Sequence, residues 1–333
     1  MQVAMGMLQV NEEDMQFARQ IGVTHLVTRP AYTPSDSFYG YEELIQLRTR
    51  VEAAGLRVAA IHDVPAEWNV AIRQGLPDRE RQLDHYCRTL ENMGRAGIPI
   101  LGYSFHAIKV WRTTRHARGR GGALYTGYDH ALMARAPLLA PRPISAEEHW
   151  QHYAYFLQRV VPVAEAAGVK MALHPDDPPI SPIGGAACIF STMEAFERAL
   201  ELVPSPSNGL LFCQGCFTEM LGQGVFEAIR RLGSTGKVFY VHFRNVVGFG
   251  QIGQDARDNG VLGEKRLAFR EAAIDAGDID MVEAMRTWKE VGFDGPMMPD
   301  HYGQFVGDTS YGHRARAHAV GYMKALMQAV GGL

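Results

Sequence analysis

The chain has 333 residues, 47% of them hydrophobic and 21% charged, with 36 Asp plus Glu against 33 Lys plus Arg, a formal charge of −3 and a pI near 6.5. That composition supplies apolar side chain for a large core and lacks the basic face that nucleic-acid or anionic-membrane binding requires. No run approaches the ~18 apolar residues of a membrane span, four cysteines in this length are no disulfide scaffold, and the opening MQVAMGMLQVNEED carries no basic n-region, so a cytoplasmic protein is expected.

Taken in chain order, short β-rich runs alternate with amphipathic segments. The expected strands are Gln2–Leu8, His25–Pro30, Arg57–Val64, Pro99–His106, Lys170–Asp176, Gly209–Cys213, Val238–Asn245 and Pro296–Asp300. Between them, Glu42–Ala54 sets Leu44, Leu47 and Val51 on one stripe and stops at Gly55. Glu147–Ala167 before Gly168, and Asp280–Val291 before Gly292, repeat that helix–Gly–strand order. Each strand followed by a crossover helix predicts a closed parallel barrel, an α/β fold of the (β/α)8 TIM-barrel class, as one domain over residues 1–333. The rival, a doubly wound open sheet, normally carries a Gly-rich phosphate turn after its first strand, and Met7-Leu8-Gln9-Val10 is not one. Two insertions, at about 108–145 and 247–277, follow strands and are expected as extended loops on the C-terminal rim. The first holds Arg112, Arg115, Arg118 and Arg120 and reads either as a mobile solvated loop or as a lid over an anion; the second is Gly-rich, then briefly helical.

Four late strands end in metal-ligand residue types: His174 in KMALH, Cys213 in GLLFC, His242 in VFYVHF and Asp300 in PMMPD. Strand alternation that turns His174 inward also turns Ala172 inward and sends Met171 and Leu173 outward. Turning His242 inward likewise sends Phe239, Val241 and Phe243 outward and brings Arg244 inward above it. Two imidazoles, a thiolate and a carboxylate suit a divalent transition ion, Mn²⁺ or Fe²⁺ ahead of Zn²⁺, because a catalytic ion must keep positions open. Cys213-Gln214-Gly215-Cys216 also reads as a redox or zinc CxxC, but a second pair and a thioredoxin-like unit are both missing. After His174, the loop PDDPP offers Asp176 or Asp177 to orient a ligating imidazole. His301, beside Asp300, and Tyr311, in DTSYGH, form a candidate proton-transfer pair. Arg244, Asn245, Asp176 and His106 are the expected substrate contacts.

The segments VVPVAEAAGVKMALHPDDPP, NGLLFCQG, VHFRNV, GDIDM and GFDGPMMPDHYG resemble the mannonate dehydratase family, over about Ala18 to Ala325. The resemblance implies a xylose-isomerase-like TIM barrel with Mn²⁺ or Fe²⁺ that converts D-mannonate to 2-keto-3-deoxy-D-gluconate in hexuronate breakdown. It implies His174, Cys213, His242 and Asp300 as metal ligands and His301 and Tyr311 as proton-transfer residues. The chain departs from the family pattern at Val3–Met7, which lacks the opening aromatics. It departs again at Val64-Pro65-Ala66-Glu67, which has no His in step, at His106, and at Thr309-Ser310. A small sugar acid is the expected partner, and a homo-oligomer is left open. The alternatives are a metal-dependent sugar isomerase or epimerase in the same barrel, and a non-catalytic sugar-acid binding protein.

Overall fold

The computed structural model describes residues 1–31, 37–109, 111–248 and 268–333. Twelve strands are present among them: β1 Gln2–Met7, β2 His25–Thr28, β3 Arg57–His62, β4 Ile100–Ser104, β5 Thr114–Arg118, β6 Leu124–Asp129, β7 Lys170–His174, β8 Asn208–Cys213, β9 Val238–His242, β10 Val246–Val247, β11 Ala268–Glu271 and β12 Pro296–Met298. Eight of them close a parallel barrel in the order β1-β12-β9-β8-β7-β4-β3-β2, and each coincides with one of the eight expected runs. The expected helices form over Tyr41–Ala53, Ala146–Ala167 and Met281–Glu290. The Ala146–Ala167 helix starts where Ser145 accepts from the Glu148 N–H and ends at Gly168, whose φ of 69° suits glycine. No helix among the described residues is long and apolar enough to cross a membrane.

Two packed regions follow from strand alternation. Met171, Leu173 and Val241 join the layer between barrel and helices, with Phe212 stacked 4.0 Å from Phe217 and 5.0 Å from Trp288; burying each such ring contributes about 2–3 kcal/mol. The lumen is filled by four alanines, Ala4, Ala59, Ala60 and Ala172, and six larger residues, Val27, Ile100, Leu211, Met298, Phe239 and Tyr240. Phe239 corrects the alternation expected for β9. The pairing of β8 with β9 steps from Leu210↔Val238 to Leu211↔Tyr240, so Phe239 is bulged and both Phe239 and Tyr240 enter the lumen. Gly209 makes room, since a Cβ there would lie 2.4 Å from the Phe239 ring. Beyond the bulge the alternation is restored, and Val241 and Phe243 point outward as expected.

The rim insertions pair with one another. β10, β11, β6 and β5 form a four-stranded antiparallel sheet in which Phe269 faces Tyr128 and Val246 faces Glu271. The arginine run is not the loop read as one form from sequence: Thr114–Arg118 is a strand of this rim sheet, and the Arg112 side chain is a largely buried ion-pair partner. Of the second insertion, residues 249–267 lie outside the described residues, and Ala268–Glu271 is strand where a short helix was expected.

Candidate metal centre and active site

The C-terminal ends of β7, β8, β9 and β12 bring the expected ligands together as two overlapping sets. Donor atoms of Cys213, His242 and Asp300 lie within 4.8 Å of one another, as do those of His174, Cys213 and Cys216, so Cys213 is common to both. The Nδ1 of His174 donates to the Pro175 carbonyl at 2.7 Å, which leaves the Nε2 lone pair free for a metal. That carbonyl, rather than Asp176 or Asp177, orients the imidazole. His242 is 2% exposed and neither ring nitrogen has a hydrogen bond, although Nδ1 stands 3.4 Å from Asp300 Oδ2.

The electrostatics describe a place for a cation. Burial would raise the Cys213 thiol, but the Cys216 hydrogen bond, Arg244 and His174 hold it well below its ordinary value. Burial likewise opposes ionisation of Asp300, and His242 and His301 override it. Against its own burial, His242 is raised to about 10 by Asp300 and Cys213. A thiolate and a carboxylate around an unpartnered imidazole attract a proton where a metal ion would otherwise sit. The residues fit a divalent transition ion on that ground and on the chemistry of the donor set.

Beside this group lies a buried charge network. Arg244 is 3% exposed and donates to Glu271 at 2.7 and 2.5 Å, to Glu219 at 2.8 Å and to Asp177 at 3.2 Å. Its Nη1 also stands 3.4 Å from the Cys213 sulfur and 3.1 Å from that of Cys216. Gly215 permits this approach, because a Cβ there would lie 2.6 Å from Arg244 Cδ. Arg112 reaches Asp177 at 2.7 Å and Glu271 at 3.1 Å, so the cap sheet is tied to the barrel by charge.

His301 lies beside the ligands, with Nε2 3.1 Å from Asp300 and 3.7 Å from Glu271; against its burial, those two carboxylates raise its pKa. Tyr311 stands further along the rim, stacked 4.1 Å from the Arg316 guanidinium, which also donates to the Gly6 carbonyl at the end of β1. The Tyr311 hydroxyl is buried without a partner, and burial pushes it up to about 12. His106 donates to the Pro175 carbonyl at 3.1 Å and faces Asp176 at 3.4 Å. Asp176, 2% exposed, accepts from the Phe190 N–H at 2.7 Å and holds its loop. Asn245 clamps backbone, bonding the Ile274 and Ile279 carbonyls at 3.1 Å each.

Several neighbours went unread in the sequence. Cys216 was seen only as half of a CxxC. That motif does open a helix, Gln214–Leu221, but in a barrel, with the two sulfurs 3.4 Å apart. Glu219 and Glu271 carried no local signal, because their partners are distant in sequence. His62 could have been found: it ends β3 as His174 ends β7, and its ring lies 5.6 Å from that of His242 and 6.4 Å from that of His174.

Comparison with known proteins shows the family and the fold. A family model described as D-mannonate dehydratase (UxuA) matches residues 9–141 and 134–332. The mannonate dehydratase of Streptococcus agalactiae serotype III (strain NEM316) is 31% identical over 334 residues, covering 92% of this chain and 91% of that protein. The crystal structure of mannonate dehydratase from Streptococcus suis serotype2 superposes with a TM-score of 0.87 at 29% identity, covering 99% of this chain and 95% of that one. A xylose isomerase domain protein from Planctomyces limnophilus, with a TM-score of 0.62 and 15% identity over 100% of this chain and 98% of that one, shares the fold.

Proposed function

The chain belongs to the D-mannonate dehydratase family, and we propose that it is a hydro-lyase that removes water from D-mannonate to give 2-keto-3-deoxy-D-gluconate at the C-terminal mouth of its barrel. The observation that carries this reading is the cluster of Cys213, His242 and Asp300, joined through Cys213 to His174, with His301 alongside. These four residues would hold Mn²⁺ or Fe²⁺, with Zn²⁺ less suited because its tetrahedral preference leaves fewer open positions. When bound, the ion supplies positive charge beside the substrate carboxylate as the adjacent C2 proton leaves.

The rest falls to side chains of the protein. One group must take the C2 proton and another must protonate the departing C3 hydroxyl, after which the enol becomes the keto acid. We assign His301 and Tyr311 to this pair of transfers. The carboxylates of Asp300 and Glu271 set the His301 ring, and the unpartnered Tyr311 hydroxyl is a proton donor that no protein acceptor occupies. The Cys216 hydrogen bond and Arg244 lower the Cys213 thiol pKa, and Arg244, with Asn245 and Asp176, holds the wall behind the substrate, while His106 borders it next to His174.

The test is incubation of D-mannonate with the protein and Mn²⁺, followed by assay for a 2-keto-3-deoxy acid. Its accumulation is the expected result. Interconversion of isomers without loss of water would select an isomerase or epimerase, and ligand-induced stabilisation without turnover would select a binding protein. Cys213→Ala is expected to reduce bound metal to less than about a tenth of wild type, because it removes the donor shared by both sets. Metal analysis of the purified variant reads this directly, and wild-type occupancy would exclude Cys213 as a ligand.

A further inference from the structure

Below the proposed ligands, three residues from three strands build a feature that neither the ligand set nor the proton-transfer pair uses. His62 ends β3, and Tyr240 projects from β9, which stands opposite β3 in the barrel order. The Tyr240 hydroxyl crosses the lumen and meets His62 Nδ1 at 2.7 Å. Gly102 of β4 supplies the space, since a Cβ there would lie 1.8 Å from the Tyr240 hydroxyl and 2.9 Å from His62 Nδ1. Tyr240 is itself in the lumen because of the bulge at Phe239.

This geometry decides where the imidazole proton sits. A phenol keeps its proton at neutral pH, so Tyr240 brings an O–H into this contact. Its hydrogen-bond partner among the described residues is His62 Nδ1; either tautomer fits the 2.7 Å contact, and the one in which Nδ1 accepts also gives the buried hydroxyl proton its acceptor. A neutral His62 therefore carries its proton on Nε2. That N–H has no acceptor among the described residues, and His62 belongs to neither set of clustered metal donors. Of the other donors nearby, His174 Nδ1 is committed to Pro175, and Arg112 and Arg244 to carboxylates.

We propose that His62 Nε2–H is a hydrogen-bond donor to an oxygen of the sugar-acid substrate, with Tyr240 as the positioning residue that sets its tautomer and Gly102 as the space that lets the two meet. The inference rests on the sugar-acid reading of the site and names one of its specificity contacts. A neutral donor fixed at the lumen wall discriminates by position among hydroxyl epimers, because an epimer that turns its oxygen away forfeits that hydrogen bond.

The test uses the Mn²⁺-loaded full chain with D-mannonate, reading KM and kcat by product assay, Kd by calorimetry and metal content by elemental analysis. His62→Ala is expected to raise KM and Kd by about tenfold with metal content unchanged, the loss of one neutral hydrogen bond. His62→Gln, which keeps an N–H donor, is expected to recover part of that loss. Tyr240→Phe and Gly102→Ala, which disturb the tautomer or the approach, are expected to raise KM by about threefold or more with metal retained. Wild-type KM and Kd in His62→Ala, or a fall in its metal content in step with activity, would overturn the proposal. So would a Tyr240→Phe variant with wild-type KM. A wild-type protein that neither binds nor dehydrates D-mannonate would instead overturn the functional reading and this inference with it, whereas normal wild-type turnover with an indifferent His62→Ala overturns the inference alone.

Discussion

Replacement of His301 by Asn is expected to lower kcat by about 10²- to 10⁴-fold while bound metal stays at the wild-type level. The imidazole sits 3.1 Å from Asp300 and 3.7 Å from Glu271, outside both sets of clustered metal donors. Asn keeps a polar group of similar reach but cannot exchange a proton, so binding should survive and turnover should not. Tyr311→Phe is expected to act in the same direction for a complementary reason. It removes one oxygen whose hydroxyl is buried without a protein partner, so folding loses no hydrogen bond and the melting temperature should hold or rise. Steady-state kinetics, metal analysis and a thermal melt on each variant separate the alternatives. A double variant of His301 and Tyr311 that still turns over D-mannonate at the wild-type rate would remove both from the mechanism.

The second large effect concerns stability. Arg244→Met is expected to destabilise the protein by about 3–5 kcal/mol, because it leaves Glu219, Glu271 and Asp177 buried around a missing cation. Their exposures of 0, 1 and 5% leave little water to screen the repulsion that remains. Arg112 contacts Asp177 and Glu271 but not Glu219, so it compensates only in part. Arg244→Lys keeps the charge but loses the fork that reaches all three carboxylates, and an intermediate loss is expected. Thermal melting should show a drop of roughly 6 °C or more for Arg244→Met, at about 2 °C or more per kcal/mol for a chain of this size. A shift within about 1 °C would mean that the network contributes nothing net. The same variant should also weaken metal retention, since Arg244 helps hold Cys213 as thiolate.

Legibility in the sequence followed the range of each interaction. The barrel was readable because β-rich runs and amphipathic helices are local patterns, and all eight barrel strands fall on the expected runs. Ligand candidates at the ends of β7, β8 and β9 and just after β12 were readable because alternation fixes which face a strand-end residue occupies. His62, at the end of β3, obeys the same rule. Asp176 shows the limit of that reading: the motif places a carboxylate two residues after His174, but the turn at Pro175 sends it to the Phe190 N–H.

Composition, periodicity and strand-end chemistry by themselves determined a (β/α)8 barrel and placed candidate metal-ligand residues at its C-terminal mouth, because each depends on neighbours a few residues away. The bulge that turns Phe239 inward, the pairing of the two rim insertions into one sheet, and the meeting of Arg244 with Glu219 and Glu271 were decided only in three dimensions. So was the reach of Tyr240 across the lumen to His62, which depends on the missing Cβ of Gly102. In each case the partners come from separate strands or insertions, and no local preference records which distant side chain will fill a given space or neutralise a given charge.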